Sequence, residues 1–587
     1  MKGARWLTMV VVLVPGSAFA QRHIVFVDVS VIRLDRERVE PGQTVVVEGD
    51  RIVAVGSADN VPIPNGAEIV AGRGRFLLAG LVDSHVHVTT DMPWAPARPD
   101  FGDGLLYLAH GVTTVVSLRG TPAQLEWKRR IETGELLGPT LYTAGEFVNE
   151  PRVTTPAEVR RDIADQARAG YDLIKFHEIW TPTGGFATRR GLSREAYATV
   201  FQGARDVGLP VVGHAPVNLG IEALFAARGG ALAHVGELNR LHFVLGLRVL
   251  ILTGAAALTL LAVVVSWSVA ALSRRLHGAP GIHSDRLSRA RALFASALAL
   301  MVALPAGGLM VGPGGLFYDS VTWRVATALV GLGVTFLASL AVASAVRGGR
   351  HRTLDRRSKL AFAIAGASSI ALVLLVALGW LPFLWRSSEP AIGQLARRFR
   401  DAGVAVQSTL VVYEALSPDG TRRALNDQSF SQLAPEVQSV WRRMSEQRPG
   451  AGRGGVLVPP RLPEFFRRVA GIFHRNGVLL LAGTDAMGMP MVAPGSSLIR
   501  ELHLLVLGGL TPSEAIRTAT VNPARFMGKD EEIGTIGVGA RADLVVLDDN
   551  PLESLSALDR PAGVMVRGRW LPREQLDRML SELSGGQ

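Results

Sequence analysis

Eight short runs rich in apolar and β-branched residues, each separated from the next by a stretch with helical spacing, constrain this chain most. They are Phe76 to His87, Val112 to Arg119, Thr140 to Glu146, Tyr171 to His177, Pro210 to His214, Ala231 to His234, Val404 to Glu414 and Val478 to Asp485. Strands that alternate with helices predict parallel βα units, and eight of them predict an α/β fold of the (β/α)8 TIM-barrel type. The intervening helices carry their own stop signals, Pro156 to Ala169 ending at Gly170 and Arg194 to Val207 at Gly208. Glycine ends a helix readily because it accepts left-handed backbone. Residues 23–75 and about 533–570 read as alternating strands with turn residues, as in Gln43 to Glu48 and Arg51 to Val55 about Gly49-Asp50. Neither segment is long enough to bury a core alone, so the two are expected to pair into one small β-sandwich.

The barrel pattern is interrupted. Residues 249–273, 292–318, 325–346 and 360–385 are free of charge and run for 25, 27, 22 and 26 residues, each above the ~20 residues a membrane-crossing helix needs. They predict an inserted all-α transmembrane block of four helices over residues 242–388. The N-terminus places Lys2 and Arg5 before an apolar run and then Ala18-Phe19-Ala20, the order of a cleaved secretory signal. The expected domains are therefore a signal peptide at 1–20, a β-sandwich from 21–75 and 533–587, a barrel from 76–241 and 389–532, and the 242–388 insertion. An even number of spans returns the chain to its starting side, and the basic loops after the first and third spans belong in the cytoplasm. This predicts a multi-pass inner-membrane protein with its barrel on the periplasmic side, membrane lipid as a partner, and access for amphipathic substrates.

The net charge of +11 does not indicate nucleic acid. Lys2 and Arg5 carry +2, residues 273–291 carry +4 and residues 347–359 carry +5, so the rest of the chain is neutral and offers no extended polyanion-binding face. The chain has no cysteine, which excludes disulfide scaffolds, thiol nucleophiles and cysteine-ligated zinc or iron–sulfur centres. A hydrophobic share of 48% with mean hydropathy +0.25 is high for an ordinary soluble enzyme and accords with the four apolar stretches.

Residues of metal-ligating type fall at the ends of the predicted strands, where a β/α barrel builds its active site. His85 and His87 are two apart on a strand, so both imidazoles face one way. Lys175 ends the fourth strand, His214 the fifth, His234 the sixth and Asp485 the eighth. Singly, each has an ordinary structural explanation: an incidental histidine pair, a strand-end ion pair for Lys175, a core histidine, a helix N-cap for Asp485. Six such residues at five strand ends are together a candidate metal site. His177 shares a face with Lys175, and Arg119, Tyr142 and Tyr413 lie at or near strand ends as candidate substrate contacts.

Gly80-Leu81-Val82-Asp83-Ser84-His85-Val86-His87 resembles the first-strand motif of the amidohydrolase superfamily, particularly its imidazolonepropionase-like and Xaa-Pro dipeptidase-like branch. Leu510-Thr511-Pro512, Asn522-Pro523-Ala524-Arg525, Ile533-Gly534-Thr535-Ile536 and Gly539-Ala540-Arg541-Ala542-Asp543-Leu544 are similar to that family's tail. The resemblance implies that His85 and His87 bind the more buried of two metal ions and that His214 and His234 bind the second. It also implies that Lys175 is the carboxylated bridging ligand, and that Asp485 binds metal and serves as general base. Four imidazoles and two carboxylate-like groups suit zinc, with manganese, iron or cobalt as alternatives, and one ion beside an unmodified Lys175 remains open. The expected activity is metal-dependent hydrolysis of an amide, peptide, lactone or ester bond in a small-molecule or peptide-like substrate. A ligand-sensing barrel coupled to the transmembrane helices is the alternative.

Overall fold

The computed structural model describes residues 23–88, 94–95, 101–178, 191–216, 218–243, 386–447 and 462–585, with Ile364 and Ala367 as isolated positions. The N-terminal segment forms β1 (His23–Arg33), β2 (Arg38–Glu48), β3 (Arg51–Ser57), β4 (Glu68–Ala71) and β5 (Phe76–Ala79). Then come β6 (Leu81–Val86), β7 (Val112–Ser117), β8 (Thr140–Thr143), β9 (Ile174–Phe176), β10 (Val211–Gly213), β11 (Ala231–Leu232), β12 (Ala405–Gln407) and β13 (Leu480–Leu481). The C-terminal segment supplies β14 (Leu544–Leu547), β15 (Gly563–Val566) and β16 (Arg569–Pro572).

Strands β6 to β8 and β9 to β13 pair in parallel in chain order. A bridge between Ala144 and Leu173 joins the two groups, and a bridge between Val86 and Ala486 closes the ring. Its interior is packed rather than hollow: Val82, Val116, Leu173, Val212, Ala405 and Leu481 form one buried cluster, as alternating inward side chains of a barrel do. The outer helices start and stop where their sequence dictates. Helix Pro156–Ala169 opens with Thr155 and Glu158 in a reciprocal capping box and closes at Gly170, φ 93°; helix Arg194–Asp206 opens on Ser193, which accepts from the Ala196 N–H, so orphan backbone groups are satisfied at these ends.

The flanking segments form one continuously hydrogen-bonded sheet, ordered β16-β15-β14-β5-β1-β2-β3 with β4 also on β1, in place of the expected sandwich of separate sheets. Strand β1 serves both parts because Ile24 to Val27 pair with β4 while Ser30 and Val31 pair with β5. The predicted run Phe76 to His87 is two strands, for the chain passes from sheet to barrel at Gly80. A Cβ there would meet Thr113 Oγ1 at 2.0 Å, so only glycine fits. The predicted seventh run is also divided: strand Ala405–Gln407 gives way to helix Leu410–Ala415.

The expected four-helix transmembrane insertion and multi-pass membrane location are corrected. Among the described residues no helix is long and apolar enough to cross a membrane. The longest described helices, Pro156–Ala169 and Leu462–Arg475, have 14 residues each. At 1.5 Å per residue such a helix reaches about 21 Å, short of the ~30 Å hydrocarbon core. The periplasm-facing barrel and the lipid partner, which rested on those spans, lose their support with them. The four apolar stretches, the signal segment 1–20 and the loop Arg448 to Pro460 themselves lie outside the described residues.

Sheet and barrel are locked by Arg541, a guanidinium only 2% exposed. It donates to Asp543 Oδ2 at 2.6 Å and Thr114 Oγ1 at 3.0 Å, and lies 3.3 Å from Glu532 Oε1. Asp543 in turn accepts from the Arg567 N–H through its side chain and from the Gly80 N–H through its carbonyl, both at 2.8 Å. Replacing Arg541 by alanine leaves the buried Asp543 carboxylate without its cation, and the expected loss of stability is about 3–5 kcal/mol. A fall in the urea unfolding midpoint of the Arg541→Ala protein measures it; an unchanged midpoint refutes the lock.

Candidate metal centre

Five of the barrel strands deliver side chains to one place. His85 ends β6 with its neighbour His87 just beyond, and Asp485 follows β13, so the first and last strands of the ring meet here. His87 Nε2 is 3.1 Å and His85 Nε2 3.5 Å from Asp485 Oδ1, and the three offer ligand atoms that all lie within 4.8 Å of one another. The His234 ring is centred 4.5 Å from that of His85 and 5.0 Å from that of His214, which lies 4.3 Å from the His177 ring. The backbone of the loop after β13 presses onto this group: a Cβ on Gly488 would sit 2.4 Å from both Asp485 Oδ1 and His87 Cδ2.

Burial sets the charge state of the cluster. It pushes the imidazoles of His85 and His177 well below the usual histidine range, with neighbouring titratable groups adding to the effect, and brings His234 down to about 4 against the pull of Asp485 and Glu237. These rings are neutral at neutral pH, the form that ligates metal. Burial also brings the Lys175 amine down to about 7, against the pull of Asp485 and Glu237. Burial works against the Asp485 charge as well, yet its hydrogen bond with His87 and the nearby cationic groups hold that carboxyl below its ordinary value.

Two imidazoles are held from the far nitrogen by residues that sequence reasoning missed, and a third has a carboxylate nearby, beyond hydrogen-bond distance. His85 Nδ1–H donates to Gln407 Oε1 at 2.9 Å, and the Gln407 amide donates to Ser84 O at 2.6 Å. His234 Nδ1 lies 2.9 Å from Thr409 Oγ1, and His214 Nδ1 lies 3.6 Å from Glu237 Oε1. Partners on Nδ1 turn Nε2 towards the cluster, the arrangement that orients histidine ligands in metal sites. Buried nitrogens of the cluster, among them His85 Nε2, Lys175 Nζ and His177 Nδ1, have no hydrogen-bond partner. Neutral imidazoles, an ionised carboxylate and an orphaned amine converging in a buried pocket fit a divalent cation.

The candidate substrate contacts divide. The Phe147 ring lies flat on His177 with centroids 4.3 Å apart, and the Arg119 guanidinium sits 5.4 Å from the Phe147 centroid and 3.5 Å from Glu146. Tyr413 reaches back over the turn that follows β11, where a Cβ on Gly236 would touch its hydroxyl at 1.9 Å. Tyr142 is elsewhere: its hydroxyl is 3.5 Å from Arg541, at the end of the barrel where the tail packs. If the cluster holds an ion only when folded, zinc at 100 times its dissociation constant adds about 2.7 kcal/mol of stability. The thermal unfolding midpoint of chelator-treated protein should therefore rise on adding zinc and stay flat in His85→Ala.

Residues 392–571 match the Amidohydrolase family. An ochratoxinase from Aspergillus niger is 37% identical over 92 residues, 15% of this chain and 18% of that protein. An imidazolonepropionase from Sphingopyxis alaskensis is 43% identical over 104 residues, 17% of this chain and 25% of that protein. The chain thus spans a quarter or less of the length of these curated relatives. Solved structures align along nearly all of it: a Xaa-Pro dipeptidase with bound methionine in its active site matches with a TM-score of 0.52, 14% identity, and 94% and 100% of the two chains covered. A bottromycin amidohydrolase matches with a TM-score of 0.55, 18% identity, and 96% and 90% covered. The tail thus matches the Amidohydrolase family, and the fold along nearly the whole chain is similar to that of these solved structures.

Proposed function

We propose that this protein is a metal-dependent hydrolase of C–N bonds, amide or peptide, in a small-molecule or peptide-like substrate. The observation that carries the reading is the convergence of His85, His87 and Asp485 within 4.8 Å at the seam of the barrel mouth. The neighbours are in keeping with it, since the aligned structures include a dipeptidase and an amidohydrolase. His85, His87 and Asp485 would hold one divalent ion and His214 and His234 a second, with Lys175 between them as a carboxylated bridge. Zinc suits this donor set best, with manganese, iron and cobalt within its range. When bound, the metal supplies an acidified water and a polarised substrate carbonyl.

The chain's own groups do the rest. An amine brought to about 7 has a substantial uncharged fraction near neutral pH, so the Lys175 nitrogen can form an N–C bond with carbon dioxide and release a proton. That gives two oxygens where the unmodified side chain offers one nitrogen. Asp485 is ionised, lies at the mouth and takes a proton from the attacking water, then passes it to the leaving nitrogen. Burial keeps bulk water from competing at this carboxylate. His177, Arg119 and Tyr413 line the approach and orient the substrate.

Asp485→Asn is expected to retain the fold by circular dichroism and to lose about 10²–10⁴-fold in turnover on a panel of N-acyl amino acids and dipeptides, the span general acid–base catalysis usually provides. Near-full activity refutes the assignment. Elemental analysis of the protein beside Lys175→Ala, with bicarbonate throughout, tests the bridge: two ions per chain should fall to one or none, and absence of divalent metal from the wild type overturns the reading.

A further inference from the structure

Thr409 holds the conformation in the barrel mouth that local preference least explains. It is β-branched, yet its backbone lies at φ 41°, ψ 39°, the left-handed region such residues avoid. The residues on either side of it are gripped by one carboxylate. Glu501, fully buried on helix Ser496–Leu507, accepts from Ser408 Oγ at 2.5 Å and from the Val411 N–H at 2.7 Å. The strand therefore stops at Gln407 and helix Leu410–Ala415 begins at once, with Thr409 forced into the turn between them. In that turn its hydroxyl arrives 2.9 Å from His234 Nδ1. His234 is itself left-handed, φ 65°, so two strained residues from adjacent strands meet through one hydrogen bond. Strain of this kind persists only where surrounding contacts enforce it, and it gathers at functional sites.

We propose that Thr409 and Glu501 are positioning residues for the metal centre. Thr409 Oγ1 accepts the Nδ1–H of His234, which selects the tautomer whose Nε2 lone pair faces the ion, and Glu501 enforces the turn that carries the hydroxyl there. The inference rests on the metal-dependent reading above. Glu501 touches neither ion nor substrate; it acts through Ser408 and Val411. The valine variant of Thr409 keeps the β-branched shape and removes the acceptor. The serine variant keeps the acceptor and removes the methyl.

The test is zinc titration of chelator-stripped protein in competition with a fluorescent chelator, for wild type, Thr409→Val, Thr409→Ser and Glu501→Gln, with melting curves to show folding. The expected result is zinc affinity at the weaker position lowered about 10–100-fold in Thr409→Val, the usual cost of losing a histidine's outer partner. Thr409→Ser should keep wild-type affinity, and Glu501→Gln, which retains shape but not two acceptor oxygens, should weaken binding in the same direction. Wild-type affinity in Thr409→Val, or equal weakening in the valine and serine variants, overturns the role of the hydroxyl. If Thr409→Val fails to fold, unchanged affinity in Glu501→Gln overturns the proposal by itself. A wild type that takes up no zinc defeats the metal reading and the inference with it, and is told apart because no variant comparison is then needed.

Discussion

The molecule depends on one seam, where the last barrel strand meets the first. Asp83, wholly buried, accepts from Thr484 Oγ1 at 2.6 Å, from the Thr484 N–H at 3.0 Å and from the His85 N–H at 3.3 Å. The Asp485 N–H donates to His85 O at 2.7 Å, and the Ser84 N–H to Ala482 O at 3.0 Å. Burial pushes the Asp83 carboxyl up to about 7 in spite of its three donors, so the seam holds a group close to its balance between neutral and charged. A carboxyl so placed is worth having because His85, His87 and Asp485 are set against one another by the same few bonds. Closing the ring and assembling the donor set are one event.

Charge suppression runs through the design of the mouth. Several imidazoles and an amine packed at ring separations of 4.3 to 5.0 Å would repel one another if protonated. Burial prevents this by disfavouring each charged form, and polar groups on the outer nitrogens of His85 and His234 satisfy those nitrogens by hydrogen bonds. The outer partners are uneven in kind: an amide for His85, a hydroxyl for His234 and a carboxylate for His214.

What the sequence made legible was periodic or adjacent. The strand alternation, the His85 and His87 pair, the lysine and histidines at strand ends and the glycine-stopped helices all follow from spacings of two or of 3.6 residues, which are local properties. Gln407, Thr409, Glu237 and Glu501 were out of reach because each matters through a partner far away in the chain. Leu410 to Tyr413 reads as strand by composition, yet Glu501 turns it into helix, a tertiary contact overriding propensity. Tyr142 ends a strand like the candidate ligands, but its hydroxyl meets Arg541 rather than the histidines, and strand position alone does not say which end of a barrel a side chain serves. Hydropathy spoke of stretches that lie outside the described residues, whereas the architecture that is described is built from helices of 14 residues or fewer, none of them long and apolar enough to cross a membrane.

The seam joins residues 401 positions apart in the chain, and synthesis runs in one direction. A nascent polypeptide displays His85, His87, Lys175, His214 and His234 long before Asp83 can meet Thr484. Throughout that interval β6, paired with β7 on one side, has its other edge open, and the donors around it form an unfinished cradle with no carboxylate from beyond β13. Contacts of such separation form late, and exposed strand edges invite wrong pairings while they wait. The arrangement that makes the mouth rigid in the finished protein thus makes the growing chain dependent on time, and the ribosome's pace becomes part of how this site comes to exist.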